Sequence, residues 1–190
     1  MKKLILSAAF AALAAPAMAH TGHDHGFGLL NGLTHPLLGA DHLLAMVAVG
    51  LWSGFVLPRR AWAAAAAFLT AMLAGAGLAW AGVGFPMVEG AILASVVVFG
   101  LLTLVARRGQ SAPVTAASLA AIAAFALAHG HAHAAEAVGG AAGYVAGFLI
   151  ATAALHSAGI LLARAVAGRP LLQRALGAGI AASGLLMMAG

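Results

Sequence analysis

Six long apolar segments make up most of this chain, and they constrain its fold more than any other feature of the sequence. Each is about 19–24 residues long, the length that an α-helix needs to cross the hydrocarbon core of a membrane. The breaks between them carry Pro, Gly or charged residues, which commonly end helices. The sequence therefore predicts an all-α integral membrane protein with six transmembrane helices. The segments cover approximately residues 36–57, 62–82, 87–106, 114–134, 140–163 and 171–189.

The composition supports a membrane protein and excludes several other classes. Hydrophobic residues make up 64% of the chain and charged residues only 7%, whereas soluble domains are about 25% charged. The net charge is +5, but the basic residues form short isolated groups rather than the continuous stripe that nucleic acid requires. We therefore expect no nucleic-acid partner. The absence of cysteine excludes disulfides, thiolate metal sites and thiol catalysis.

The first 19 residues have the pattern of a cleavable signal peptide. Lys2 and Lys3 precede a short apolar stretch, which is followed by the small-x-small sequence of residues 17–19. The apolar stretch is too short to span a bilayer, which takes about 20 residues; an uncleaved first helix is the alternative. Cleavage after Ala19 would place His20 at a new N-terminus outside the cytoplasm. The predicted organisation is a signal peptide (1–19), a His-rich external segment (20–35) and a six-helix transmembrane domain (36–190).

The arginines support one orientation in the membrane. An external N-terminus makes the loops after the first, third and fifth segments cytoplasmic, and all basic residues of the mature chain lie in or beside those loops. This distribution agrees with the positive-inside rule and predicts external N- and C-termini. The residues are Arg59, Arg60, Arg107, Arg108, Arg164, Arg169 and Arg174.

A cluster of polar residues opens the first segment. His35, Asp41 and His42 lie within eight residues of an otherwise apolar span, and Met46 follows one helical turn after His42. Pro36 is typical of a first helical turn, so we expect the helix to begin there. Ionisable groups are costly in a membrane and indicate function, and imidazole with carboxylate suits a divalent first-row metal. The alternative is a capping aspartate beside a packed histidine.

A second cluster closes the fourth segment. On a helix, His129, His133 and Glu136 share one stripe at spacings of four and three residues, whereas His131 points to the opposite side. Two histidines four residues apart can reach one ion, and the glutamate can join or orient them. The alternative is a polar helix end at the membrane interface.

Other polar residues are weaker candidates for capturing or conducting a metal ion. A His-rich tract begins the mature chain and is of a kind that binds metals loosely, or it is simply a polar tail. Glu89 in the third segment and His156 in the fifth are either further residues of the ion path or packed, hydrogen-bonded side chains. In the predicted topology every polar candidate except the one in the fifth segment lies toward the external side. These weaker candidates are His20, His23, His25, Met46, Glu89, His131 and His156.

These motifs resemble those of the HupE/UreJ family of nickel permeases, and the resemblance covers essentially the whole chain. The pattern at the end of the fourth segment departs from that of the family at Ala128 and Ala134, which replace a usual Phe and a usual Gly. Pro86 with Glu89, and His156 with Gly159, also resemble family features. The first pattern is matched by His35, Pro36, Gly39, Asp41, His42, Ala45, Met46, Val49 and Gly50. The later one is matched by His129, Gly130, Ala132, His133 and Glu136.

The resemblance implies uptake of Ni²⁺ across a bacterial cytoplasmic membrane for nickel enzymes such as hydrogenase or urease. The maturation machinery of those enzymes would be only an indirect partner. The residues themselves support a divalent site with nitrogen and oxygen ligands, and affinity order does not select nickel. We find no nucleotide-binding motif, so transport would be channel-like or secondary. The ion, Ni²⁺ or alternatively Co²⁺, would be cargo, with no prosthetic cofactor. Two other functions remain as alternatives: a metal-binding protein that conducts nothing and an intramembrane metal-dependent hydrolase. The transport interpretation predicts that the protein is not an enzyme.

Overall fold

All regular structure is helical in the computed structural model, which describes residues 28–137 and 140–190 apart from the side chain of Glu136. This confirms the all-α prediction for that part of the chain. The predicted signal peptide and the histidines of the N-terminal tract lie outside the described residues. The helices are α1 (Gly28–Leu38), α2 (Ala40–Val56), α3 (Ala63–Trp80), α4 (Val88–Val105), α5 (Ala112–Glu136), α6 (Ala141–Ala165) and α7 (Pro170–Ala189), with a 3-10 turn at Pro58–Arg60.

The first predicted span is broken into two helices that meet at an angle of 78°. Our expectation that the helix begins at Pro36 is wrong, because Pro36 lies in the last turn of α1. A proline has no N–H to donate to the carbonyl four residues earlier, and α1 ends two residues after Pro36. Gly39 then separates the helices in an extended conformation, with φ −82° and ψ 112°. The sequence 28–35 is helical as well, since Gly32 lets α1 pack directly on the backbone of α6.

Helix α2 lies at the centre of the bundle and crosses α6 closely. The position that a Cβ would take at Gly50 lies against the His156 carbonyl, and the corresponding position at Gly159 lies against Val47. One turn on, Gly54 meets Ala163, so the two helices run in the same direction. Small residues permit such close approach in lipid, where the hydrophobic effect does not drive association. The backbone of α6 around His156 is thereby packed directly on α2.

The remaining helices pair in the same way. Gly75 of α3 and Gly130 of α5 each pack on the other helix's backbone, and Gly100 of α4 packs on α7. Gln173 of α7 donates hydrogen bonds of 3.1 and 2.8 Å to the last carbonyls of α4, which satisfies groups that a helix end leaves free. Gly143 and Gly147 of α6 both lie against α1, so small residues also bring these two helices together.

The outer surface of the bundle is apolar, as a lipid-facing surface requires. Large side chains such as Leu161, Leu171 and Leu186 point outward. The described residues contain five helices that are long and apolar enough to cross a membrane, and six spans when α1 and α2 count as one. The predicted orientation, with both termini external, stays a prediction.

Candidate metal site

Three histidines from three helices converge inside one end of the bundle. His35 lies near the end of α1, His42 in the first turn of α2 and His133 in the last turn of α5. One ring nitrogen from each can be chosen so that all three lie within 4.8 Å of one another. Their ring centroids are 4.5–5.4 Å apart. The bend between α1 and α2 makes this possible, because it brings His35 back toward His42. We call these three residues the outer cluster.

The size of the outer cluster suits one divalent ion. An imidazole nitrogen lies about 2.0–2.1 Å from a bound zinc ion, so two ligands of one such ion are at most about 4.2 Å apart. Nitrogens within 4.8 Å therefore need only a small side-chain movement to bind one ion together. His42 and His133 are buried and His35 is half-buried, so an ion bound by all three would exchange part of its water shell for imidazole nitrogens.

Asp41 holds the ring of His42 in a defined orientation. Its Oδ1 accepts hydrogen bonds from the backbone N–H and from the ring Nδ1 of His42, both at 2.8 Å. Since the carboxylate accepts at Nδ1, that nitrogen carries the hydrogen and Nε2 keeps its lone pair. This Nε2 is buried and has no hydrogen-bond partner among the described residues. A carboxylate that orients the free nitrogen of a histidine in this way is the usual support of a metal ligand.

Gly39 gives the Asp41–His42 pair its space. A Cβ at this position would lie 2.9 Å from Oδ1 of Asp41 and 3.1 Å from Nδ1 of His42. Both contacts are closer than a carbon atom normally allows, although the backbone conformation of Gly39 suits any residue. The lack of a Cβ at Gly39 is therefore required by the Asp41–His42 pair and not by the backbone conformation at this position.

His129 continues the line of imidazoles one turn deeper on α5. Its centroid is 5.2 Å from that of His42, and its side chain is fully buried. Nδ1 lies 3.1 Å from the carbonyl oxygen of Phe125, which can only accept, so Nδ1 donates. The Nε2 of His129 is buried without a partner among the described residues. His129 thus presents a lone pair just inside the outer cluster.

Aromatic rings surround the histidines, and sequence reasoning did not find them. Phe148 of α6 lies 3.8 Å from the ring of His133, and Tyr144 lies 6.2 Å from that of His35, both between centroids. Phe68 of α3 lies 5.4 Å from His129. The only available signals were that Tyr144 is the one tyrosine of the chain and that Phe68 interrupts a run of alanines.

The structure separates other predicted residues from the outer cluster. His131 points the opposite way, as predicted, and its Nε2 lies 2.8 Å from the carbonyl of Val83 in the loop before α4. Glu89 is exposed in the first turn of α4. Met46 is buried in the apolar core one turn beyond His42. Glu136 ends α5, and its side chain is not among those described.

A small cleft opens beside His133. Its walls come from α3, α5 and α6 and are almost entirely apolar. His133 is the member of the outer cluster that lines this cleft. It is lined by Met72, Leu73, Ala76, Gly130, His133, Ala134, Tyr144, Val145 and Phe148.

Fold and site together define a multi-pass helical membrane protein with a buried cluster of histidines between its helices. The profile described as HupE / UreJ protein matches residues 8–187. The chain is also similar to Protein HupE of Rhizobium leguminosarum bv. viciae, with 40% identity over 195 residues that cover 100% of both chains. No solved structure matches the chain. This protein belongs to the HupE/UreJ family, which supports a general role in metal transport.

Proposed function

We propose that this protein takes up Ni²⁺ across the bacterial cytoplasmic membrane, with the outer cluster as the site where the ion first loses its water. The observation that carries this proposal is the convergence of His35, His42 and His133, whose nitrogens lie within 4.8 Å of one another. A charged ion cannot enter hydrocarbon alone, and neutral imidazoles offer it replacement ligands within the bundle.

The position of the outer cluster supports loading from the external side. Asp41 and His42 begin α2, whereas Arg59 and Arg60 follow its end. His133 ends α5, whereas Arg107 and Arg108 precede that helix. The histidines and the arginines therefore lie at opposite ends of the same helices. If the positive-inside rule holds, the cluster faces outward.

The membrane potential can supply the driving force. Moving one charge across 100 mV releases about 2.3 kcal/mol, so a divalent cation entering a negative interior gains about 4.6 kcal/mol. The outer cluster itself adds no formal charge when its histidines are neutral, and the nearest carboxylate described, Asp41, bonds to His42. The lack of a nucleotide-binding motif in the sequence supports channel-like or secondary transport, and the accumulated Ni²⁺ would supply nickel enzymes such as hydrogenase or urease.

Flux into sealed liposomes tests this proposal directly. The purified protein is reconstituted, an inside-negative potential is imposed, and an enclosed dye reports Ni²⁺, Co²⁺, Zn²⁺ or Cu²⁺ in parallel. We expect Ni²⁺ uptake to exceed that of empty liposomes and to be lost in His42→Ala. Equal rates with and without protein would contradict transport.

A metal-dependent hydrolase is the rival function, because three histidines also form the ligand set of some catalytic zinc sites. Such an enzyme would retain its metal and turn over a substrate. Transport instead predicts that metal passes into the vesicle interior, so the same flux measurement separates the two functions. A protein that only binds metal would give saturable binding without flux.

A further inference from the structure

His156 lies deeper in the bundle than any other histidine of the described chain. It belongs to the middle of α6, and its side chain is fully buried. Its backbone packs against Gly50 of α2, so it cannot shift easily along the helix axis. A buried imidazole in this position is expensive and requires an explanation beyond packing.

The hydrogen bond of His156 determines which of its nitrogens is available. Nδ1 lies 2.7 Å from the carbonyl oxygen of Thr152. The carbonyl only accepts, so Nδ1 donates and Nε2 keeps its lone pair. That Nε2 is buried and has no partner among the described residues, and the same is true of the neighbouring hydroxyl, Thr152 Oγ1. Buried polar atoms normally have partners, so two of them one turn apart indicate a place for a polar ligand.

His156 therefore repeats the arrangement of His42 and His129. In each of the three, Nδ1 is held by an oxygen of its own helix, and Nε2 is buried without a partner among the described side chains. A histidine that served only packing would gain from bonding both nitrogens. A histidine that binds a metal through Nε2 needs its other nitrogen held in this way.

Phe68 lies between His156 and His129. Its ring centroid is 5.1 Å from that of His156 and 5.4 Å from that of His129. The ring is fully buried and also contacts Phe99 at 6.5 Å. Because this one ring is close to both histidines, it flanks the direct route from His129 to His156.

We propose that His156 is the ligand of a second, inner station for the divalent cation, which receives the ion from His129 past the ring of Phe68. The inner station comprises Nε2 of His156 and the adjacent hydroxyl of Thr152. It rests on the proposed transport function and deepens it, since the outer cluster alone accounts for binding but not for passage through the middle of the bundle.

Two substitutions separate a ligand from a packing residue. His156→Asn keeps an amide N–H near the position of Nδ1 and removes the group at Nε2. His156→Gln instead places an amide near Nε2 and loses the donor to Thr152. Both variants and the unaltered chain are reconstituted, Ni²⁺ uptake is normalised to folded protein in the liposomes, and Ni²⁺ binding is measured in detergent.

The inner station predicts that His156→Asn lowers uptake at least ten-fold while Ni²⁺ affinity at the outer cluster changes less than two-fold. His156→Gln should retain more uptake than His156→Asn. Uptake by His156→Asn within two-fold of the unaltered chain, or the reverse order of the two variants, would overturn the inner station. A parallel loss of outer-cluster affinity would also overturn it. Absence of uptake by the unaltered chain would instead refute the transport function, so the two failures are distinct.

Discussion

The carboxylate of Asp41 accepts two hydrogen bonds from its neighbour His42, one from the backbone N–H and one from ring Nδ1, each 2.8 Å long. The two bonds fix both the rotation of the ring and the nitrogen that carries its hydrogen. They also make the imidazole a stronger donor through Nε2. Asp41 therefore acts through His42 in the described arrangement, whereas the sequence pattern suggested a direct metal ligand.

Replacing Asp41 by Asn tests this role. Asp41→Asn keeps an oxygen near the ring but removes the negative charge, so the orientation of His42 weakens. We expect Ni²⁺ affinity to fall about 10- to 100-fold, the usual effect of losing such a supporting group. Equilibrium binding to the purified protein measures the change, with circular dichroism as the control for helix content. An affinity within two-fold of the original would contradict the role of Asp41.

Gly39→Ala tests the space around the same pair. The backbone of Gly39 suits alanine, but the added Cβ would push against Asp41 Oδ1 at 2.9 Å. We expect a folded protein whose Ni²⁺ affinity is about ten-fold weaker, because the carboxylate must move away from His42. Gly90→Ala is the matched control, since its Cβ would meet only Met87 Cε at 3.9 Å. Equal affinities of the two variants would show that the space at Gly39 does not matter.

Helix packing gives a prediction about stability. A Cβ at Gly100 would lie 2.8 Å from Cα of Ala181 in α7. Gly100→Ala should therefore destabilise the protein by about 1–3 kcal/mol, the usual cost of overpacking. Gly77, in the last turn of α3, has open space around it, so Gly77→Ala should be neutral or stabilising by up to about 1 kcal/mol. Thermal unfolding in detergent compares the two; a lower melting temperature for Gly77→Ala than for Gly100→Ala would contradict this packing.

Much of the fold could be predicted because lipid imposes simple rules. Long apolar segments mark the spans, and Pro, Gly and Arg mark their ends. The break at Gly39 was not predictable from these rules, since Pro36 is compatible with a helix start as well as with a last turn. Gly32 also contacts the backbone of Tyr144 in α6, more than a hundred positions away, and local sequence rules carry no information about such a contact.

The site was predictable along each helix but not between helices. The four-residue spacing of His129 and His133 predicts a shared face, and both rings do lie near His42. Periodicity carries no information about which helices are neighbours, so the positions of Phe68, Tyr144 and Phe148 could not be derived. The choice of Nε2 as the available nitrogen also depends on hydrogen bonds that only the fold reveals.

The most direct test compares His133 with His131, two histidines on opposite faces of α5. His133 belongs to the outer cluster, whereas His131 contacts the Val83 carbonyl. Potential-driven Ni²⁺ uptake into liposomes is measured for His133→Ala, His131→Ala and the unaltered chain at equal protein content. We predict a loss of at least ten-fold for His133→Ala and uptake within about two-fold for His131→Ala, in line with removal of a ligand. Undiminished uptake by His133→Ala would contradict the proposal that the outer cluster lies on the path of the ion.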